Sequence, residues 1–154
     1  MGARLKVNGL PLPPLLVSLI EAGRWRHPGD DTLMSAIPFL NDPLDFLQIE
    51  AMRRESRPSL AGDPQISALF HVTRGRTSAS AVDLPWLDIE RAAFVAVNRF
   101  PGDDVGIALD YRSSAVNPRV VASEWLPGSA GCIWREVAGT FAEFACRLGL
   151  CEPA

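Results

Sequence analysis

Asp103, Asp104 and Asp110 are the carboxylates whose closeness in the chain first suggests chemistry, because a divalent cation takes several oxygen ligands at once. Their setting argues against it. Asp103 and Asp104 sit in Pro101-Gly102-Asp103-Asp104, where aspartate bonds its own backbone to make a turn. Asp110 lies about six residues further along a predicted strand, roughly 20 Å away at strand rise. A hairpin therefore separates the three, and no metal is expected. Zinc fares no better. Cys146 and Cys151 flank the end of an apolar segment, and the chain has only two histidines, so free thiols are the expectation.

Nucleophilic catalysis needs a nucleophile, a base and an orienting group. His27 stands near Asp30 and Asp31, and His71 falls inside an apparent strand. No Gly-x-Ser-x-Gly elbow accompanies them, and no cysteine has a recognisable nucleophile setting. Gly-x-Gly-x-x-Gly and Walker patterns are absent too, so neither a catalytic residue nor a cofactor is expected. Arg53-Arg54-Glu55-Ser56-Arg57 reads as a solvated helix end, with charge that complements the dipole. Trp125, Trp134, Phe141 and Phe144 are spaced as core residues. Trp86 differs, lying among charges in "DLPWLDIE". It reads either as an anchor for another protein or as a plug at the edge of the core.

The elements that must position these residues follow from periodicity. "LPPLLVSLIEAG" places Leu12, Leu15, Leu16, Leu19 and Ile20 on one helical face, with Pro13 and Pro14 at its start and Gly23 at its stop. "RWRHPGDD" reads as a loop. "NDPLDFLQIEAMRRES" reads as a second helix, capped by Asp42. "ALFHVT" is a strand, and "RGRTSASAVDLPW" a polar connection. "AAFVAVNR", "FPGDD" and "VGIALDYR" form a strand, a turn and a strand, and "RVVASEW" a further strand. "CIWREVAGTFAEFACRLGL" reads as one closing helix, with Trp134, Val137, Ala138, Phe141, Phe144, Ala145 and Leu148 on a stripe and Gly149 at its end. The predicted class is α+β: a single domain over residues 1–154, with a largely antiparallel or mixed sheet packed against N-terminal and C-terminal helices.

Composition agrees. The chain has 154 residues, 47% hydrophobic and 21% charged, enough apolar surface for a core and too little charge for a disordered tail. A net charge of −3 argues against a phosphate-binding surface, so no nucleic-acid partner is expected. No segment approaches the ~20 apolar residues of a membrane span, and "MGARLKVNGLPLPPLL" has no signal-peptide apolar run. Three cysteines without a Cys-x-x-Cys fit a reducing cytoplasm.

"VGIALDYR", "PRVVASEW" and "WREVAGTFAEFACRLGL" together resemble the end of the SUKH superfamily domain, the fold of the fungal Smi/Knr cell-wall regulators. Leu12-Pro13-Pro14 and the apolar helix ending at Gly23 are similar to that family's opening. The resemblance is best from Phe94 to Leu150 and least over residues 24–90, where "GRWRHPGDD" replaces the family's Asn-Gly-rich turn. It implies a helix-covered sheet without a catalytic centre. Bacterial members are similar to cytoplasmic immunity proteins that bind and neutralise a toxin, often a nuclease; fungal members act as regulatory interaction modules. Asp110 matches the family's strand-end aspartate, expected to organise the next loop through backbone N–H groups near Ser113 and Ser114. The expected partner is a protein, probed through an acidic surface with an aromatic anchor: Trp86, Asp88, Glu90, Asp103 and Asp104.

Overall fold

The computed structural model describes residues 5–7, 9–40, 43–56, 91–98, 106–112, 114, 116–125 and 132–150. Within them lie seven strands and four helices. A small hairpin opens the chain: β1 (Lys6–Val7) pairs antiparallel with β2 (Leu10–Pro11). Gly9 turns it at φ 74°, a conformation that an L side chain rarely adopts. α1 (Pro14–Glu21) follows with proline in its first turn, and buries Leu16 and Leu19 as its periodicity predicts. Gly23 ends it at φ 69°.

The next segment is not all loop. α2 (Asp30–Ala36) starts where the aspartates end "RWRHPGDD", and Asp30 and Asp31 occupy the first turn, at the positive end of the helix dipole. The single helix expected over "NDPLDFLQIEAMRRES" is likewise divided. β3 (Leu44–Phe46) pairs with β4 (Ala92–Asn98), setting Leu44 against Asn98 and Phe46 against Ala96. Only α3 (Ile49–Glu55) is helical, with Met52 buried and Arg53 and Arg54 in its last turn as expected. A short burial alternation decided β3: Leu44 is inside and Asp45 outside, and the sheet offers bonds that an isolated helical turn does not.

The main sheet is antiparallel throughout, in the order β3-β4-β5-β6-β7, with β5 (Gly106–Asp110), β6 (Arg119–Trp125) and β7 (Cys132–Ala138). The strand–turn–strand expected around "FPGDD" is present as β4 and β5, though the turn itself lies outside the described residues. All five residues of β5 are buried. At its start, a Cβ on Gly106 would meet the Ala96 carbonyl oxygen at 3.0 Å, so glycine lets two backbones approach.

The closing element departs most from expectation. "CIWREVA" is strand β7, paired with β6 from Cys132 to Ala138, and only α4 (Phe141–Arg147) is helix. Trp134 therefore enters the core from the sheet, stacking near Phe94 at 5.8 Å, while Phe141 and Phe144 enter from the helix. The boundary is set by Thr140, whose hydroxyl accepts the Glu143 N–H at 3.2 Å, and by Glu143, whose carboxylate accepts the Gly139 N–H at 3.3 Å. Arg147 reaches back to donate to the Val137 carbonyl, beside the irregularity in the β6–β7 register, and pairs with Glu143 at 3.3 Å. That pair is the one its i, i+4 spacing predicts.

One hydrophobic core joins the N-terminal hairpin, α1, α2, α3, the sheet and α4. Replacing Thr140 by alanine removes the cap while leaving the core intact. The expected loss is about 1 kcal/mol of unfolding free energy, read from urea denaturation, and Thr140→Ser retains most of it.

Candidate functional site

Asp110 ends the central strand with no solvent exposure. A carboxylate there must be compensated or stay protonated. Its Oδ1 accepts the Arg112 Nε–H at 3.0 Å and the Arg112 backbone N–H at 3.1 Å. Its Oδ2 accepts from Arg112 Nη2 and from Arg119 Nε, each at 2.9 Å. Arg112 thus grips both oxygens, and Arg119 adds a second guanidinium from the strand paired with β5, in register at Asp110. The Arg112 and Arg119 side chains are themselves only 7% and 17% exposed. Arg119 leads outward to Glu136 at 3.6 Å, a half-exposed carboxylate on β7.

Burial is the largest single influence on Asp110 and opposes its ionisation. The side-chain and backbone hydrogen bonds of Arg112, its charge, and the bond from Arg119 together outweigh burial, so the carboxyl lies below the ordinary aspartate range. The expected backbone bond to the following loop is present, donated by the Arg112 N–H, next to Ser113. Ser113 lies outside the described residues, and Ser114 instead uses its hydroxyl to accept the N–H groups of Val116 and Asn117, at 3.3 and 2.9 Å. With four donors on its two oxygens, Asp110 joins β5, β6 and the loop between them. Next to it, Tyr111 donates its hydroxyl to the Pro11 carbonyl at 2.8 Å, and burial pushes that phenol well above its ordinary range. The end of β5 is thereby tied to the N-terminal hairpin.

A second place is concave. An open cleft of about 510 Å³ separates the chain leaving α1 (Ala22, Gly23, Arg24, Arg26, His27 and Pro28) from Leu148 and Leu150, just beyond α4. His27 Nδ1 accepts the Gly29 N–H at 2.9 Å, and Nε2 faces Asp30 at 3.4 Å. Both ring nitrogens are thus engaged locally, as the loop reading of His27 expects. Asp110 is not among the cleft's lining residues.

Of the residues singled out in the sequence, Asp110, Trp134, Phe141 and Phe144 are buried in the described core region. Trp86, Asp88, Glu90, Asp103 and Asp104, together with His71 and Cys151, lie outside the described residues. Cys146 is disulfide-bonded, which corrects the free-thiol expectation and removes its thiol from the case for a reducing compartment. Among the described residues, no three His, Cys, Asp or Glu side chains are grouped to hold a metal ion, and no helix is long and apolar enough to cross a membrane. The arginines around Asp110 escaped the sequence reading. Arg112 and Arg119 lie one turn of loop apart on neighbouring strand ends, and only the β5–β6 register reveals that they meet. No family model, curated protein or solved structure matches the chain.

Removing the Asp110 charge takes from two largely buried guanidiniums the anion they share, while Arg119 keeps its pair with Glu136. Asp110→Asn is expected to cost about 3–5 kcal/mol in denaturant unfolding. The pH dependence follows from the lowered pKa. The stability that Asp110 supplies is present above the ordinary aspartate value of about 3.9, and is lost as pH falls through the lower folded value. Unfolding measured from pH 6 downward is expected to show a decline below about pH 4 that is shallower in the asparagine variant.

Proposed function

We propose that this chain is a non-enzymatic protein-binding module, and specifically a cytoplasmic immunity protein that binds and neutralises a cognate toxin. The observation that carries the reading is the buried Asp110 cross-link at the end of the central strand, in an antiparallel sheet flanked by N-terminal and C-terminal helices. That is the arrangement the SUKH resemblance implies, with its strand-end aspartate committed to the scaffold. The engagement of His27 by Gly29 and Asp30 supports the same reading, because it leaves the ring holding its own loop. The cytoplasmic setting rests on the resemblance.

Recognition is assigned to the acidic residues Asp88, Glu90, Asp103 and Asp104, with Trp86 as anchor. A nuclease toxin presents a basic face, and opposite charge accelerates association with such a face. A regulatory scaffold of the same fold without a toxin partner is the second reading, favoured by the fungal side of the resemblance.

Capture from the native host with the full chain as bait, followed by mass spectrometry and co-expression, separates them. The immunity reading expects one stoichiometric partner whose toxicity the chain suppresses, with the quadruple change of those acids to Asn or Gln slowing association about tenfold or more at low salt. Capture of endogenous regulators with no protection on co-expression would sink it in favour of the scaffold.

A further inference from the structure

His27 is held by its own loop in a way that only one of its protonation states allows. Its Nδ1 accepts the Gly29 N–H at 2.9 Å, and its Nε2 faces the Asp30 carboxylate at 3.4 Å. An imidazole nitrogen that accepts an N–H carries no proton of its own. The contact therefore requires the neutral ring, with its proton on Nε2 directed toward Asp30. Protonation places a second N–H on Nδ1, aimed at the Gly29 N–H. Two donors cannot share that contact, so the ring has to turn away from Gly29.

The loss falls on the entry to α2. Gly29 precedes the helix at φ 110°, a conformation that favours glycine, and the bond to His27 closes the turn that delivers it there. The body of α2 is fastened separately: Ile37 donates its N–H to the Leu33 carbonyl at 2.9 Å, and both side chains are buried in the core. Opening is thus confined to the turn.

The charged groups around the ring favour the cation that the Gly29 bond excludes. Asp30 faces it, with Asp31 beside Asp30 in the first turn of α2, while Arg24 and Arg26 share its cleft lining. From β3 the ring meets Phe46 at 5.2 Å, and Asp45 alternates to the other side of that strand. The end of α4 brings Leu148 and Leu150, while Arg147 is turned to Glu143 and the Val137 carbonyl. The acid form therefore exchanges a backbone hydrogen bond for an ion pair with Asp30.

We propose that the His27–Gly29 turn is a pH-sensitive switch, closed while His27 is neutral and opened when a solvent proton on Nδ1 displaces the Gly29 N–H and leaves the imidazolium paired with Asp30. Histidine is the side chain that changes charge between about pH 5 and 8. His27 and Pro28 line the cleft beside Leu148 and Leu150, so the same proton reshapes that wall. The switch needs no partner and stands apart from the binding-module reading.

The test uses the full-length ¹⁵N-labelled chain between pH 8 and 5. At pH 8, long-range ¹H–¹⁵N spectra are expected to place the His27 proton on Nε2. As the ring titrates, the Gly29 amide resonance should shift with the same midpoint. Its hydrogen-exchange protection should fall about fivefold, the worth of one hydrogen bond, while the Ile37 amide keeps its own. His27→Asn separates the switch from acid unfolding. The asparagine oxygen accepts an N–H two residues on and does not titrate, so Gly29 stays protected at pH 5. His27→Ala should leave Gly29 unprotected across the range. A ring protonated on Nδ1 at pH 8, a Gly29 amide that ignores the His27 titration, or a His27→Asn variant whose Gly29 protection at pH 8 disappears in acid each overturns the switch. So does a parallel loss at Ile37, which marks unfolding rather than a local turn.

Discussion

An aspartate without solvent exposure must find its compensation inside the protein, and at Asp110 that requirement constrains much of what surrounds it. Arg112 must turn back on the residue two before it, so the chain cannot continue straight out of β5. Arg119 must arrive opposite, which holds the β5–β6 register where Asp110 faces it; a one-residue slip would turn that guanidinium to the other face of the sheet. The cluster is costly to assemble, since three charges leave water, and it is more costly to dismantle singly. Its contribution is therefore better understood as choosing one arrangement of the strand ends than as raising net stability. Tyr111 extends the same constraint to the N-terminal hairpin through Pro11, so β2 and the end of β5, 100 residues apart, are held together.

Trp25 plays the corresponding part at the other side of the core. Its ring lies between Phe46 of β3 and Phe141 of α4, at 4.4 and 5.7 Å, and its polar atoms bond Leu47 and Gln48, the two residues that join β3 to α3. A buried indole N–H without an acceptor would offset much of what its area contributes. Here the acceptor is Leu47, next to the edge strand, so one side chain both fills the core and closes the space beside β3. The opposite edge, β7, is interrupted instead by its register irregularity and by Arg147 on the Val137 carbonyl.

Where the chain is legible, the reason is a single dominant period. The leucines of α1 and the alternation of β4, β5 and β6 each point to one element, and each is found. Where two periods overlap, the longer one misleads. Trp134, Val137, Ala138 and Phe141 fit a helical stripe, yet the first three belong to a strand; Thr140-x-x-Glu143, a helix-start signature, was the mark of the division. Leu44 and Phe46 alternate over too few residues to outweigh a following helix. The first hairpin went unread, because its two-residue strands leave almost no pattern. The site was half legible. Asp110 was visible as a carboxylate at the end of an apolar strand, whereas its partners are brought together by sheet register, which local spacing does not encode.

This division bears on function. A carboxylate at a strand end is a common place for catalysis, and the bare sequence leaves that open. Four donors on two oxygens change its chemical character: such a group is stabilised as an anion, poorly basic, and has no lone pair turned to a ligand. Among the described residues, Asp110 therefore belongs to the scaffold: its charge is spent on joining the ends of β5 and β6.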